Sequence, residues 1–146
     1  MSEERTKARA RKDKAQGKSP GTQAAEFVRE EIHHVREGKH GARSSKQMIA
    51  IGLSKARRAG VALPPPKRGT TSERARKSAA RDAARGNTNP ARAPSPSRSR
   101  AAKKALKREG TAAGTATALS RQAQRARAAR GPAAAHTRGR KAMSRA

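Results

Sequence analysis

A chain of 146 residues could form one compact domain, but its composition works against a large core. Hydrophobic residues make up 32% and lean on alanine, Phe27 is the one aromatic, and 37 Lys and Arg against 10 Asp and Glu leave a net charge of +27. Low hydrophobicity with high charge predicts an ordered minority and a disordered or conditionally helical majority, with no room for a catalytic cavity, so no enzyme is expected.

Cysteine is absent, which excludes disulfides and thiolate zinc sites. No apolar run approaches the roughly 18 residues of a membrane span. Glu3, Glu4 and Asp13, with no apolar stretch beside them, do not fit a signal peptide. A cytoplasmic location and no membrane partner are expected.

Residues 1–18 read as a polar arm, with a helix over 2–16. Ser2 can cap it, Glu3 and Glu4 suit its positive end, and Gly17 stops it. It has no apolar stripe, so a solvated arm is expected, marginal by itself.

Ser19-Pro20 opens a firmer helix over 20–37, because Ser caps and Pro suits a first turn that needs no N–H. Ala24, Phe27, Val28, Ile32 and Val35 fall along one stripe, with Glu26, Glu30, Glu31 and Glu37 on other faces and Gly38 as the stop. Ser44 and Gln47 then match a capping box for a helix over 45–59. Met48, Ile49, Gly52, Leu53 and Ala56 form its apolar face, widened by Ile51. A glycine in mid-helix costs roughly 1 kcal/mol relative to alanine, so Gly52 suggests close approach of a neighbouring helix. Lys46, Lys55, Arg57 and Arg58 are expected on the rim or exposed side, and Gly60 ends the helix. The fold class is mostly α: residues 19–63 as a small antiparallel helical hairpin, followed by a long basic tail over 64–146. So small a core would gain from a partner, which makes a homo-oligomer through the hairpin an expectation.

Pro64-Pro65-Pro66 marks an extended boundary. Before it lie 15 basic and 7 acidic residues; from it onward lie 22 and 3, with Leu106, Leu119 and Met143 as the large apolar residues. Ser72 and Glu73 open a helix through Arg85 that would align Arg74, Lys77, Arg81 and Arg85. Asn87–Arg100, with Asn89-Pro90, Ala93-Pro94 and Ser95-Pro96, reads as a linker. Residues 101–109 and 115–130 are alanine-rich and helix-prone. Arg121 and Arg125 repel one another at that spacing, and a phosphate backbone would relieve them.

Cations in excess point to a polyanion, because each Lys or Arg that meets a phosphate releases counterions. The candidate contacts are Lys46, Lys55, Arg57, Arg58, Lys67, Arg68, Arg74, Lys77, Arg81, Arg85, Lys103, Lys104, Lys107, Arg108, Arg121 and Arg125. Aromatic platforms for stacked bases are missing, which favours backbone-directed binding of duplex DNA over RNA. The connection between the two central helices is longer than a helix-turn-helix wants, so base-specific readout is not expected. The alternatives are an RNA- or ribosome-associated protein, or an adaptor whose hairpin binds a protein while the tail solubilises. His33, His34 and His40 cluster in sequence, but adjacent histidines leave a helix on different faces, so no metal site and no cofactor are expected.

Glu31-Ile32-His33-His34, Lys39-His40-Gly41 and Ser45-Lys46-Gln47-Met48-Ile49-Ala50-Ile51-Gly52-Leu53-Ser54 with Ala56-Arg57 resemble a family of small basic bacterial proteins. That family carries a K-H-G…S-x-K-Q-x-I-A-I-[GA]-L-S signature and has no assigned function. The likeness covers residues 26–66, with Met48 where alanine is usual. The tail is similar in composition to linker-histone and bacterial histone-like tails, which implies a nucleoid-associated protein that coats or compacts DNA.

Overall fold

Serines start the helices and glycines stop them. The computed structural model describes residues 3–88 and 95–130. Among them run α1 (Glu3–Ala15), α2 (Pro20–Arg36), α3 (Ser45–Arg58), α4 (Glu73–Thr88), α5 (Pro96–Lys107), a 3-10 turn at Ala112–Gly114 and α6 (Ala116–Arg130), and no strand. Ser19 Oγ accepts from Thr22 N–H at 3.3 Å, Ser44 Oγ from Gln47 N–H at 3.1 Å and Ser72 Oγ from Ala75 N–H at 3.2 Å. These bonds satisfy donors that a first turn leaves open. Gln47 reaches back past the cap, and its Oε1 accepts from Arg43 N–H at 2.7 Å. At the other end α1, α2 and α3 close alike: Lys18, Lys39 and Val61 N–H donate to the carbonyls of Asp13, His34 and Ala56, across Gly17, Gly38 and Gly60. This is the Schellman closure, which takes up orphan carbonyls of the last turn.

The expected linker ends sooner than Arg100. Ser95 Oγ accepts from Arg98 N–H at 3.4 Å, and α5 starts at Pro96. Ser95-Pro96 repeats the cap and first-turn proline of Ser19-Pro20. The Ser2 cap, Asn89-Pro90, Ala93-Pro94 and Met143 lie outside the described residues.

α2 lies at the centre, packed against α1 and α3. One apolar cluster joins Ala10, Ala24, Phe27, Ala56 and Val61, with Leu53, Ala59 and Leu63 against it. A second joins Val35, Ala42, Met48 and Ala113, with Ile32 and Leu119. The first half of α2 therefore meets the second half of α3, and its last turns meet the start of α3. Between them, a Cβ built on Gly52 would lie 2.7 Å from Val28 Cα, so the glycine does mark a close helix approach.

Three expectations change. α1 is not a solvated arm: Thr6, Ala10 and Asp13 face inward, and their small size lets α1 sit close to α2 without an apolar stripe. Glu26, Glu30 and Glu31 are buried, because α1 and α3 cover the faces of α2 that the apolar stripe leaves. Residues 64–146, expected as a separate tail with helices through Arg85, over 101–109 and over 115–130, do carry α4, α5 and α6 there, but the tail is not separate. α4 packs on α3 and α6 meets both α3 and the 3-10 turn, so contacts cross the proline segment. Cover for the second apolar cluster, Ala113 and Leu119, comes from the same chain. No helix among the described residues is long and apolar enough to cross a membrane.

Candidate functional site

The acidic side chains are mostly paired within the chain, and that decides which cations are left without an internal partner. Lys55 pairs with buried Glu31. Arg57 is 6% exposed, and its guanidinium donates to the carbonyls of Leu63 at 3.3 Å and Pro64 at 3.1 Å. Burial lowers its pKa, partly offset by the charge of Asp82. Arg58 Nε lies 3.4 Å from the Ser54 carbonyl and 3.9 Å from Asp82. All three were expected on the rim or exposed. Lys55 and Arg58 do lie half-buried on the rim, but Arg57 is buried because α4 and the proline segment fold back over α3: Ser54 Oγ donates to Asp82 at 2.6 Å, and Gly86 lies against the Arg57 carbonyl.

The remaining candidates stay at the surface. Lys46, Lys67 and Arg68 are exposed, as are Arg74, Lys77, Arg81 and Arg85 along α4. Ala79, Asp82 and Gly86 turn a different side of α4 toward α3. On α5, Lys103, Lys104, Lys107 and Arg108 border a shallow depression with Arg100. On α6, Arg121 and Arg125 flank a cleft shared with Arg43, Ser44 and Ser45 at the start of α3. Residues 95–130 hold ten cations and one carboxylate, Glu109. Among the described residues no cation of α5 or α6 is ion-paired. By contrast, α4 pairs Glu73 with Arg76, whose guanidinium holds that carboxyl below its usual range.

A second assembly sits inside. Glu30 and Glu31 are 0% exposed, and neither oxygen of Glu30 nor Oε2 of Glu31 has a hydrogen bond. His33 points outward to Glu37 at 2.8 Å, as its helix position predicts. His34 points inward, with Nδ1 3.8 Å from Glu31 and Nε2 3.9 Å from Glu30. His40 arrives from the loop between α2 and α3, its Nε2 3.2 Å from Glu31 Oε2. Its Nδ1 donates to the Gly41 carbonyl at 3.0 Å. The two rings meet edge-on, with centroids 6.0 Å apart. Donor atoms of Glu31, His34 and His40 all lie within 4.8 Å of one another. The helix-face argument does separate His33 from His34, but it cannot see a histidine returning from the following loop. The sequence signal was His40 within Lys39-His40-Gly41, beside two adjacent glutamates.

Residues 11–68 match the model of a family described as "Family of unknown function (DUF6496)". The matched stretch contains the whole buried Glu–His–Lys assembly and ends before α4, α5 and α6. No curated protein matches the chain, and no solved structure does.

Proposed function

We propose that the protein binds nucleic acid without catalysis, as a nucleoid-associated, histone-like factor that grips duplex DNA through its phosphates with little sequence preference. The observation that carries this reading is the surface of α5 and α6, where exposed cations have no internal acidic partner. Each such cation that meets a phosphate releases counterions condensed on the duplex, which makes binding favourable and salt-sensitive. The exposed row Arg74, Lys77, Arg81 and Arg85 on α4 extends the same chemistry. Phe27, the one aromatic, is 1% exposed and unavailable to stack on a base, which favours duplex backbone over single-stranded RNA. The α2–α3 pair acts as the scaffold that holds these helices.

The test is anisotropy titration of the full-length protein on duplex DNA and on structured RNA of equal length, across a salt series. For DNA the log–log slope should be on the order of −6 or steeper. Replacing Lys103, Lys104, Lys107 and Arg108 with glutamine should make it shallower by about 0.9 for each phosphate that is no longer neutralised. Salt-independent affinity, an unchanged slope in that variant, or tighter binding to the RNA would reject the proposal.

A further inference from the structure

We infer that Glu31, His34 and His40 form a binding site for a divalent transition-metal ion, Zn²⁺ by its donor chemistry, independent of the nucleic-acid surface. The first ground is orientation. The Gly41 carbonyl holds the Nδ1–H of His40, which leaves Nε2 as the nitrogen facing Glu31 Oε2, 3.2 Å away. A cation between these two atoms, a proton or a metal ion, joins them. A backbone carbonyl fixing the far nitrogen is the way metal-ligating histidines are usually oriented.

The second ground is burial. Glu31 is 0% exposed; Lys55 holds its Oε1, while its Oε2 has no hydrogen bond and faces His40 Nε2. A buried carboxylate oxygen without a hydrogen bond is costly, and coordination is one of the few ways to offset it. Spacing is the third. Tetrahedral zinc with bonds of about 2.0–2.1 Å places neighbouring donors about 3.4 Å apart. Here His40 Nε2 lies 3.2 Å from Glu31 Oε2, His34 Nδ1 lies 3.8 Å from the other oxygen, Oε1, and one donor atom from each of the three residues falls within 4.8 Å of the others. Imidazole with carboxylate suits zinc rather than magnesium, which prefers oxygen donors.

Charge balance supplies the mechanism. Glu30 and Glu31 are two buried carboxylates, and Lys55 reaches Glu31 with its side chain 30% exposed. A dication would neutralise both carboxylates, and the lysine stem lets its ammonium swing to solvent. Glu30, 3.9 Å from His34 Nε2, would orient that ring or complete the ligand set. The ion would clamp the loop that follows α2. That loop donates from Gly41 and Ala42 N–H to the carbonyls of Leu106 and Gly110 at 2.9 and 3.0 Å. Metal binding would thereby firm the loop that meets the end of α5 and the turn after it.

The test uses full-length protein freed of nucleic acid at high salt and stripped by a chelator. Calorimetry with Zn²⁺ near neutral pH should show one saturating equivalent, Mg²⁺ should not bind, and Co²⁺ should give the visible bands of a tetrahedral site. His34→Ala, His40→Ala and Glu31→Gln should each weaken Zn²⁺ by roughly tenfold or more, while His33→Ala and His136→Ala leave it unchanged. Lys55→Met should tighten binding, an effect that misfolding cannot imitate. Absence of saturable Zn²⁺ binding would mean that protons alone balance the cluster. That result, affinity surviving loss of both histidines, equal loss in His33→Ala, or weaker binding in Lys55→Met would each overturn the inference.

Discussion

Val28 leaves no space for a side chain opposite it. A methyl group at Gly52 would lie 2.7 Å from Val28 Cα and 2.9 Å from Cγ2, and backbone cannot move aside cheaply. Gly52→Ala should therefore destabilise the protein by about 1–3 kcal/mol in urea unfolding despite alanine's better helix propensity. Gly21→Ala is the control: its nearest neighbour would be Ser19 Oγ at 3.8 Å, so it should be neutral or mildly stabilising. Gly41 is subject to a similar constraint from residues far along the chain, for a Cβ there would meet the Glu109 carbonyl. The role of Gly52 was readable as an anomaly, an unfavourable residue in mid-helix. That of Gly41 was not, since nothing local indicates that residue 109 passes by.

Arg57 shows how an element's neighbours redefine a charged residue. Counted along α3 it sits among exposed cations, yet it ties the helix end to the proline segment through the Leu63 and Pro64 carbonyls. Arg57→Met keeps most of the stem and removes the donors. It should cost about 1–3 kcal/mol of stability and leave the salt slope of nucleic-acid binding unchanged, whereas Lys107→Gln should do the reverse. Thermal melts and salt titrations of the two variants check this pair of outcomes. Burial of Glu30 and Glu31 has the same origin. Periodicity assigns one buried face to a helix, but α2 is packed from both sides and buries more than one.

Across the whole molecule, the segment after the prolines helps to complete the fold. Ala113 and Leu119 close the second apolar cluster, and α4 closes on the end of α3. A fragment ending at Pro66 should therefore melt at a lower temperature and less cooperatively than the full chain by circular dichroism. An equal melting temperature would show that the later helices add nothing to stability. This coupling also makes tail deletion a poor assay for nucleic-acid binding, because it would perturb the scaffold as well.

Much of the local structure was settled by the sequence itself: capping serines, stopping glycines, the stripe on α2 and the cation row on α4. These follow from hydrogen-bond satisfaction and helical spacing within a few residues. The docking of α1, the inward turn of Lys55 and Arg57, and the meeting of His34 with His40 over Glu31 were decided only in three dimensions. Each depends on which distant element covers a given face, and small or charged residues do not announce their partners. The cations of α5 and α6 that face solvent without an acidic partner are what remains once the carboxylates have been paired elsewhere, a subtraction that composition alone cannot perform.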